Sequence, residues 1–210
     1  MFKSRIEAGN LLAEKIAKDL GQLTSKAVIL GIPRGGVIVA KQIADSLACF
    51  LDVIVVKKIG APNQPELAIG AVGETNGSKY IDQRLVDDVK ASKDYLNSEI
   101  IKMRQEIKRR EQLYRQNKPP LDLKNKIVIV TDDGAATGAT VIAAVREVWN
   151  NQPKKVVIAL PVLSKDILAK LEKEADEVLY LDTPWPFFAV GQFYQQFPQI
   201  TDEEVIGALL

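Results

Sequence analysis

The stretch that decides the fold is Val128–Val141, VIVTDDGAATGATV, where an apolar run meets two aspartates and then a row of small residues. This order predicts a buried strand, a tight loop, and a helix that begins near Val141. Small side chains let backbone N–H groups approach an anion, and a helix N-terminus adds the positive end of its dipole. The stretch therefore predicts a phosphate-binding loop.

The loop differs from the common nucleotide-binding motifs. It lacks the lysine of GxxxxGK[ST] and does not fit GxGxxG. Thr137 and Thr140 add hydroxyl donors to the backbone amides. An ordinary strand-to-helix turn is the alternative interpretation. The residues that we expect to bind a 5-phosphate are Gly134, Ala135, Ala136, Thr137, Gly138, Ala139 and Thr140.

The two acids before the loop, Asp132 and Asp133, would repel a bare phosphate, so they need another partner. Vicinal ribose hydroxyls are such a partner. A ribose 5-phosphate across the loop would place its phosphate on the amides and its 2- and 3-hydroxyls against the carboxylates. The carboxylates would then lie below C1, where positive charge develops in a loose transition state. We predict that Asp132 and Asp133 are the catalytic pair.

The rest of the chain predicts an α/β fold. Arg5–Leu20 has apolar residues at helical spacing and is followed by Gly21, a typical helix stop. Continuous apolar strands that alternate with helices are typical of a mostly parallel, Rossmann-like sheet covered on both faces. The five predicted strands are Ala27–Leu30, Asp52–Val56, Ile127–Val130, Lys155–Leu160 and Glu177–Leu181.

Two segments interrupt this alternation. Within Gly60–Ile81, Thr75-Asn76-Gly77-Ser78 lies between apolar runs and predicts a β-hairpin. From about Asp88 to Gln116 a narrow apolar stripe predicts one long helix, and a stripe of this kind could pair with a second subunit. We predict a single domain over residues 1–210, with an insertion over about 60–118.

Composition excludes several mechanisms. The chain has no histidine and one cysteine, Cys49, so a Cys/His zinc site, a Ser-His-Asp triad and a Cys-His dyad are excluded within it. Lys plus Arg (28) nearly equals Asp plus Glu (27), which argues against nonspecific nucleic-acid binding. The N-terminus is unlike a signal peptide and no long apolar stretch occurs, so we expect a cytoplasmic protein without a membrane partner.

The phosphate loop resembles the phosphoribosyl pyrophosphate signature of type I phosphoribosyltransferases. Together with PRGG at Pro33–Gly36, KKIGAP at Lys57–Pro62, RREQLYR at Arg109–Arg115 and FAVGQFYQQF at Phe188–Phe197, the resemblance spans nearly the full chain. It implies a flap over Gly60–Gly77, and we expect a homo-oligomer. It also implies Mg²⁺ bridging pyrophosphate and ribose hydroxyls, with Asp132 and Asp133 as metal residues directly or through water. The residues implied for pyrophosphate are Arg34, Gly35, Gly36, Lys57 and Lys58.

The resemblance leaves the acceptor open. A C-terminal hood at about 182–200 is rich in aromatic residues, and Phe188 is the candidate for stacking on a purine-like base, although each aromatic could instead belong to a small core. Ala136 replaces the loop aspartate of hypoxanthine-guanine enzymes. The leading hypothesis is a transferase that releases pyrophosphate. The alternatives are a phosphoribosyl pyrophosphate-sensing regulator and a hydrolase or phosphotransferase.

The segment Lys102–Lys118 carries seven basic residues and two acidic ones. A nucleic-acid or polyphosphate partner is one interpretation. The basic residues are spread around the predicted helix with little aromatic content, so we favour a solvated face.

Overall fold

The computed structural model of the chain describes residues 1–21, 27–75 and 77–210. A five-stranded sheet in the order β2-β1-β6-β7-β8 forms its centre, and each neighbouring pair is parallel. A separate antiparallel sheet has the order β3-β4-β5. The predicted α/β fold with about five parallel strands is confirmed. The strands are β1 (Val28–Gly31), β2 (Phe50–Val53), β3 (Lys57–Ala61), β4 (Gln64–Val72), β5 (Lys79–Ile81), β6 (Ile127–Thr131), β7 (Lys155–Val162) and β8 (Glu177–Asp182).

Helices cover both faces of the parallel sheet because its strands are apolar on both sides. In β6, Ile129 belongs to the core under α1 and α2, whereas Val128 and Val130 belong to the core under α5 and α6. The Ser4 side chain caps the first helix. Gly21 ends the helix with a φ of 54°, and this stop was predicted. The helices are α1 (Arg5–Leu20), α2 (Gly35–Leu47), α3 (Gln83–Asp88), α4 (Lys93–Tyr114), α5 (Ala139–Trp149), α6 (Lys165–Leu171) and α7 (Asp202–Leu209), with a 3-10 helix at Val190–Phe193.

The predicted insertion contains the antiparallel sheet. Its β4-β5 pair confirms the predicted hairpin, although Asn76 of the predicted turn lies outside the described residues. The predicted second strand, Asp52–Val56, extends too far, because β2 ends at Val53 and Lys57 and Lys58 begin β3 of the other sheet. The intervening residues 54–56 are buried and apolar, so their sequence resembles a continuation of the strand while the backbone passes to the other sheet.

The long helix is shorter than predicted. It starts at Lys93, where the Ser92 hydroxyl accepts a hydrogen bond from the Tyr95 amide (3.1 Å), and the short α3 precedes it. Its apolar stripe packs with the antiparallel sheet and α7 in one core, so the stripe gives no support to pairing with a second subunit. Among the described helices, none has both the length and the apolar character required to cross a membrane.

Candidate active site

The topology creates one cleft at the carboxyl edge of the parallel sheet. β1 lies between β2 and β6 in the sheet, so the strand that follows β1 in the chain is on one side of it and β6 is on the other side. The loops after β1 and β6 diverge at this switch point, which is the usual ligand position in open α/β sheets. They line a cleft of about 1200 Å³ whose other walls come from the β3-β4 hairpin and α4.

The PRGG loop and the acid pair approach each other closely. A Cβ atom added to Gly35 would overlap Oδ2 of Asp133, and one added to Gly36 would lie 2.7 Å from Cα of Asp132. No side chain fits at such separations, so only glycine allows the start of α2 to lie against the aspartates. The two sequence motifs, which are about 100 residues apart in the chain, therefore form one surface of the cleft.

Asp133 is anchored from two sides by residues that the sequence did not suggest. Nε of Arg5 donates to Oδ2 of Asp133 (2.8 Å), and both side chains are largely buried. The Tyr194 hydroxyl donates to the Asp133 backbone oxygen (2.6 Å). These contacts leave Oδ1 of Asp133 for a ligand. The only signal in the sequence is that Arg5 shares the apolar side of α1 with Ala8 and Leu12.

Asp132 lies beside this anchored carboxylate and lines the same cleft. Its Oδ1 accepts a hydrogen bond from the Asp133 amide (2.8 Å). Burial, and secondly the charge of Asp133, raise the pKa of Asp132 well above its usual range, while Lys58 acts in the opposite direction. A ligand that brings positive charge or hydroxyl donors would stabilise the ionised carboxylate.

The phosphate loop is partly tied to the sheet. The Ala135 amide donates to the Val162 oxygen (3.0 Å), so this amide is not free to bind phosphate, in contrast to the prediction. Gly138 takes the left-handed conformation (φ 74°) from which α5 starts. Gly138 and Thr140 line the cleft beside the exposed Ala136 and Thr137. The predicted Ala139 is buried outside the lining, and its amide, the first of α5, donates to the Thr137 hydroxyl (3.5 Å).

Four of the five predicted pyrophosphate residues line the cleft, whereas Gly36 is buried and is not among the lining residues. Arg34 precedes α2, while Lys57 and Lys58 begin β3, and all three are among the lining residues. The pKa of Lys57 is lowered, mainly by burial and then by the positive charges of Arg110, Arg109 and Arg34. The charge of Glu106 raises this pKa. The cations therefore lie close enough together to repel one another, which favours a site for a polyanion.

One wall of the cleft was missed by sequence reasoning. α4 contributes Tyr95, Lys102, Arg109 and Arg110 to the lining, and the Tyr95 hydroxyl donates to the Gly60 oxygen of the hairpin (2.9 Å). The Lys102 and Arg109 side chains are exposed, which agrees with the predicted solvated face, but these two cations and Arg110 also line the cleft. Spacing alone could not reveal this, since it does not show what lies opposite a helix.

The hood contacts the cleft through an aliphatic residue. Of the hood residues, all of which the structure describes, Val190 lines the cleft, whereas Phe188 is 82% exposed and outside its lining. The Gln192 side chain holds this loop by accepting from the amides of Phe188 (2.9 Å) and Ala189 (3.1 Å). In this conformation the predicted stacking residue Phe188 is not part of the cleft wall.

Comparison with known proteins identifies the family. Residues 4–196 match the family model of the phosphoribosyl transferase domain, a range that includes both loops, the inserted sheet and α4, and most of the hood. The chain belongs to this family. The resemblance to type I phosphoribosyltransferases that rested on the loop motifs is thus confirmed.

Relatives of this phosphoribosyl transferase domain are found in bacteria. A protein of Mycobacterium tuberculosis, provisionally named a phosphoribosyl transferase in strains CDC 1551 and H37Rv, is 42% identical over all 210 residues. The chain covers 46% of that protein, less than half its length.

Solved structures share the fold of this phosphoribosyl transferase domain. The crystal structure of TT1426 from Thermus thermophilus has a TM-score of 0.80 and 41% identity, with 99% of this chain and 97% of that chain covered. The AQ2163 protein of Aquifex aeolicus has a TM-score of 0.54 and 14% identity, covering 85% of this chain and 74% of its own, and is similar in fold alone.

Proposed function

We propose that the protein transfers the ribosyl 5-phosphate group of phosphoribosyl pyrophosphate to a nitrogenous base and releases pyrophosphate. One observation supports this most strongly: the PRGG loop, the acid pair and the phosphate loop line a single cleft. Membership of the phosphoribosyl transferase domain family supports the transferase class.

Each part of the substrate has a proposed partner. The 5-phosphate lies at the start of α5, with Thr137 and Thr140 as hydroxyl donors. The ribose hydroxyls face Asp132 and Oδ1 of Asp133. The pyrophosphate faces Arg34, whose guanidinium group can form charge-assisted hydrogen bonds to phosphate oxygens, together with Lys57 and Lys58 and the amides of Gly35 and Gly36.

The proposed reaction needs no protein nucleophile. The bond from C1 to a pyrophosphate oxygen breaks, and its electron pair leaves with pyrophosphate. A nitrogen of the base forms the new bond to C1 and loses its proton to solvent. The carboxylate of Asp132 stabilises positive charge that develops at C1, so catalysis consists of positioning and electrostatics.

The acid pair also fits a magnesium ion that is mainly bound by the substrate. Among the described residues there is no group of three or more metal-ligating side chains, and Arg5 already occupies one oxygen of Asp133. Mg²⁺ commonly uses one or two carboxylates together with substrate phosphates and water. We propose that Asp132 and Asp133 contact it directly or through water. When bound, the ion neutralises charge on the leaving pyrophosphate.

A pyrophosphate-release assay with a panel of bases tests this proposal. Adenine, guanine, hypoxanthine, xanthine, uracil and orotate are each added with phosphoribosyl pyrophosphate and Mg²⁺, and we expect base-dependent release with at least one purine-like base. Release of equal rate without any base would instead indicate a hydrolase. Tight binding of phosphoribosyl pyrophosphate without release under any condition would support the regulatory alternative.

A further inference from the structure

The basic residues of α4 and the turn after it divide between two sides of the molecule. Lys102, Arg109 and Arg110 line the active cleft, whereas Lys108 lines a different cavity of about 510 Å³. Arg115, also on that second side, is engaged by Oδ1 of Asp52 (2.9 Å). Lys102, Arg109 and Arg110 therefore face the active cleft, whereas Lys108 and Arg115 face the second cavity.

A chain of contacts joins this group to the PRGG loop. Nη1 of Arg110 donates to the Tyr114 hydroxyl (3.2 Å), and that hydroxyl donates to Oδ1 of Asp202 (2.7 Å). The same Asp202 oxygen lies 3.8 Å from Nη1 of Arg34. The Arg110 and Arg34 side chains thus meet around one buried tyrosine and one carboxylate at the first turn of α7.

The two arginines of α4 share a single carboxylate. Nε and Nη2 of Arg109 and Nε of Arg110 donate to Glu106, at distances of 2.7–3.0 Å. These hydrogen bonds lower the pKa of Glu106 to about 2, so the carboxylate is ionised near neutral pH. Each guanidinium group carries five N–H donors, and each of these two uses only two in the bonds described above. Both can therefore bind a further anion without releasing Glu106.

Charge at this end of the cleft is in excess. Burial lowers the pKa of Lys57, and the charges of Arg110, Arg109 and Arg34 all act on Lys57 and lower this pKa further. Among the described residues, Glu106 and Asp202 are the acids that pair with members of this group, and Lys57 forms no ion pair within 4.0 Å. Around Lys57, these four cations are accompanied by two carboxylates, so positive charge is in local excess there even though Glu66, Glu99 and the acid pair line other parts of the cleft. A local excess of this kind matches a compact polyanion.

We propose that Arg109 and Arg110 bind the diphosphate group of the substrate, as additional pyrophosphate-binding residues supplied by α4. The inference rests on the proposed function and deepens it. A diphosphate fits better than a nucleic-acid backbone because these cations converge with Arg34 on one end of a cleft. A strand of nucleic acid would need cations along an extended surface with aromatic platforms between them.

Titration with inorganic pyrophosphate and Mg²⁺, followed by calorimetry, tests the inference. Arg109→Gln and Arg110→Gln each remove one cleft-facing charge, and we expect each to weaken binding by roughly 10- to 100-fold. Lys108→Gln is the matched control, because it removes the same charge from the adjacent position on the other side of α4. We expect its affinity to stay within about twofold of the unmodified protein, as for other exposed charges.

Two further measurements separate the possible failures. Arg109 is more than half exposed, so we expect Arg109→Gln to fold normally. Arg110→Gln loses the hydrogen bond to Tyr114 and could be less stable. Thermal unfolding of both variants measures their stability. Ribose 5-phosphate is titrated as well. If the unmodified protein binds neither ligand, the proposed function fails. If it binds both and Arg109→Gln retains full affinity for pyrophosphate, the inference is overturned. A loss of affinity for a single-stranded RNA of about 20 nucleotides, with unchanged pyrophosphate affinity, would also overturn it.

Discussion

The ion pair between Arg5 and Asp133 allows a quantitative prediction. Arg5→Met keeps most of the aliphatic bulk but removes the partner of a carboxylate whose side chain is 14% exposed. It also removes the bond from Nη1 to the Pro198 oxygen (2.8 Å) and the stacking of the guanidinium on Phe197. Removing one member of a buried ion pair typically costs about 3–5 kcal/mol. We expect a loss of this size in the free energy of unfolding.

A double-mutant cycle measured by urea denaturation assigns this loss to the pair itself. Asp133→Asn, Arg5→Met and the combined variant are compared, and we expect a coupling energy of about 2–3 kcal/mol. Lys41→Met is the control, because the Lys41–Asp45 pair has a similar length (2.9 Å) but is exposed. It should cost less than about 1 kcal/mol. The reasoning is refuted if Arg5→Met costs no more than the control, or if the effects of Arg5 and Asp133 simply add.

Three other substitutions test separate features. Gly35→Ala places a methyl group on Oδ2 of Asp133, so we expect it to lower the thermal midpoint and to abolish binding of phosphoribosyl pyrophosphate in calorimetry; normal binding would contradict the close approach. Burial raises the pKa of Glu111 to about 7. The protonated carboxyl is therefore favoured in the folded state, and its contribution to the free energy of unfolding is complete below pH 4.5 and is lost as the pH rises through 7. Between about pH 5 and pH 8, Glu111→Gln should therefore gain about 1–2 kcal/mol over the unmodified protein after allowance for solvent screening, as measured by urea unfolding; a constant difference would contradict this pKa. Thr137→Val should weaken ribose 5-phosphate binding about tenfold in a titration by removing one hydroxyl donor, and unchanged affinity would exclude the hydroxyl as a ligand.

Local patterns predicted the parallel sheet because burial on both faces imposes continuous apolar strands. The same property prevented us from predicting where β2 ends. Residues 54–56 are as apolar as a strand, yet they connect β2 to a strand of another sheet. Apolar character reports burial in either sheet, and which sheet a residue joins depends on pairing partners distant in sequence.

The candidate site was predictable where its chemistry is contiguous. The loop after β6 presents acids, small residues and hydroxyls in one run, so its place in the cleft follows from the sequence. Arg5 and Asp133, in contrast, are 128 positions apart, and neither position alone suggests the ion pair. The role of α4 could not be predicted either. Helical spacing shows that Lys108 points to a different side from Arg109 and Arg110, but only the structure shows that the two sides line different cavities.

The central claim is that the acid pair and the loop after it bind phosphoribosyl pyrophosphate. Calorimetric titration of this compound with Mg²⁺ into the unmodified protein and into Asp132→Asn tests it most directly. Asparagine retains an oxygen that can accept from the Asp133 amide, so the loop should stay folded. We predict binding by the unmodified protein and a loss of at least about tenfold in the variant. Equal affinities, or no binding by the unmodified protein, would contradict the account.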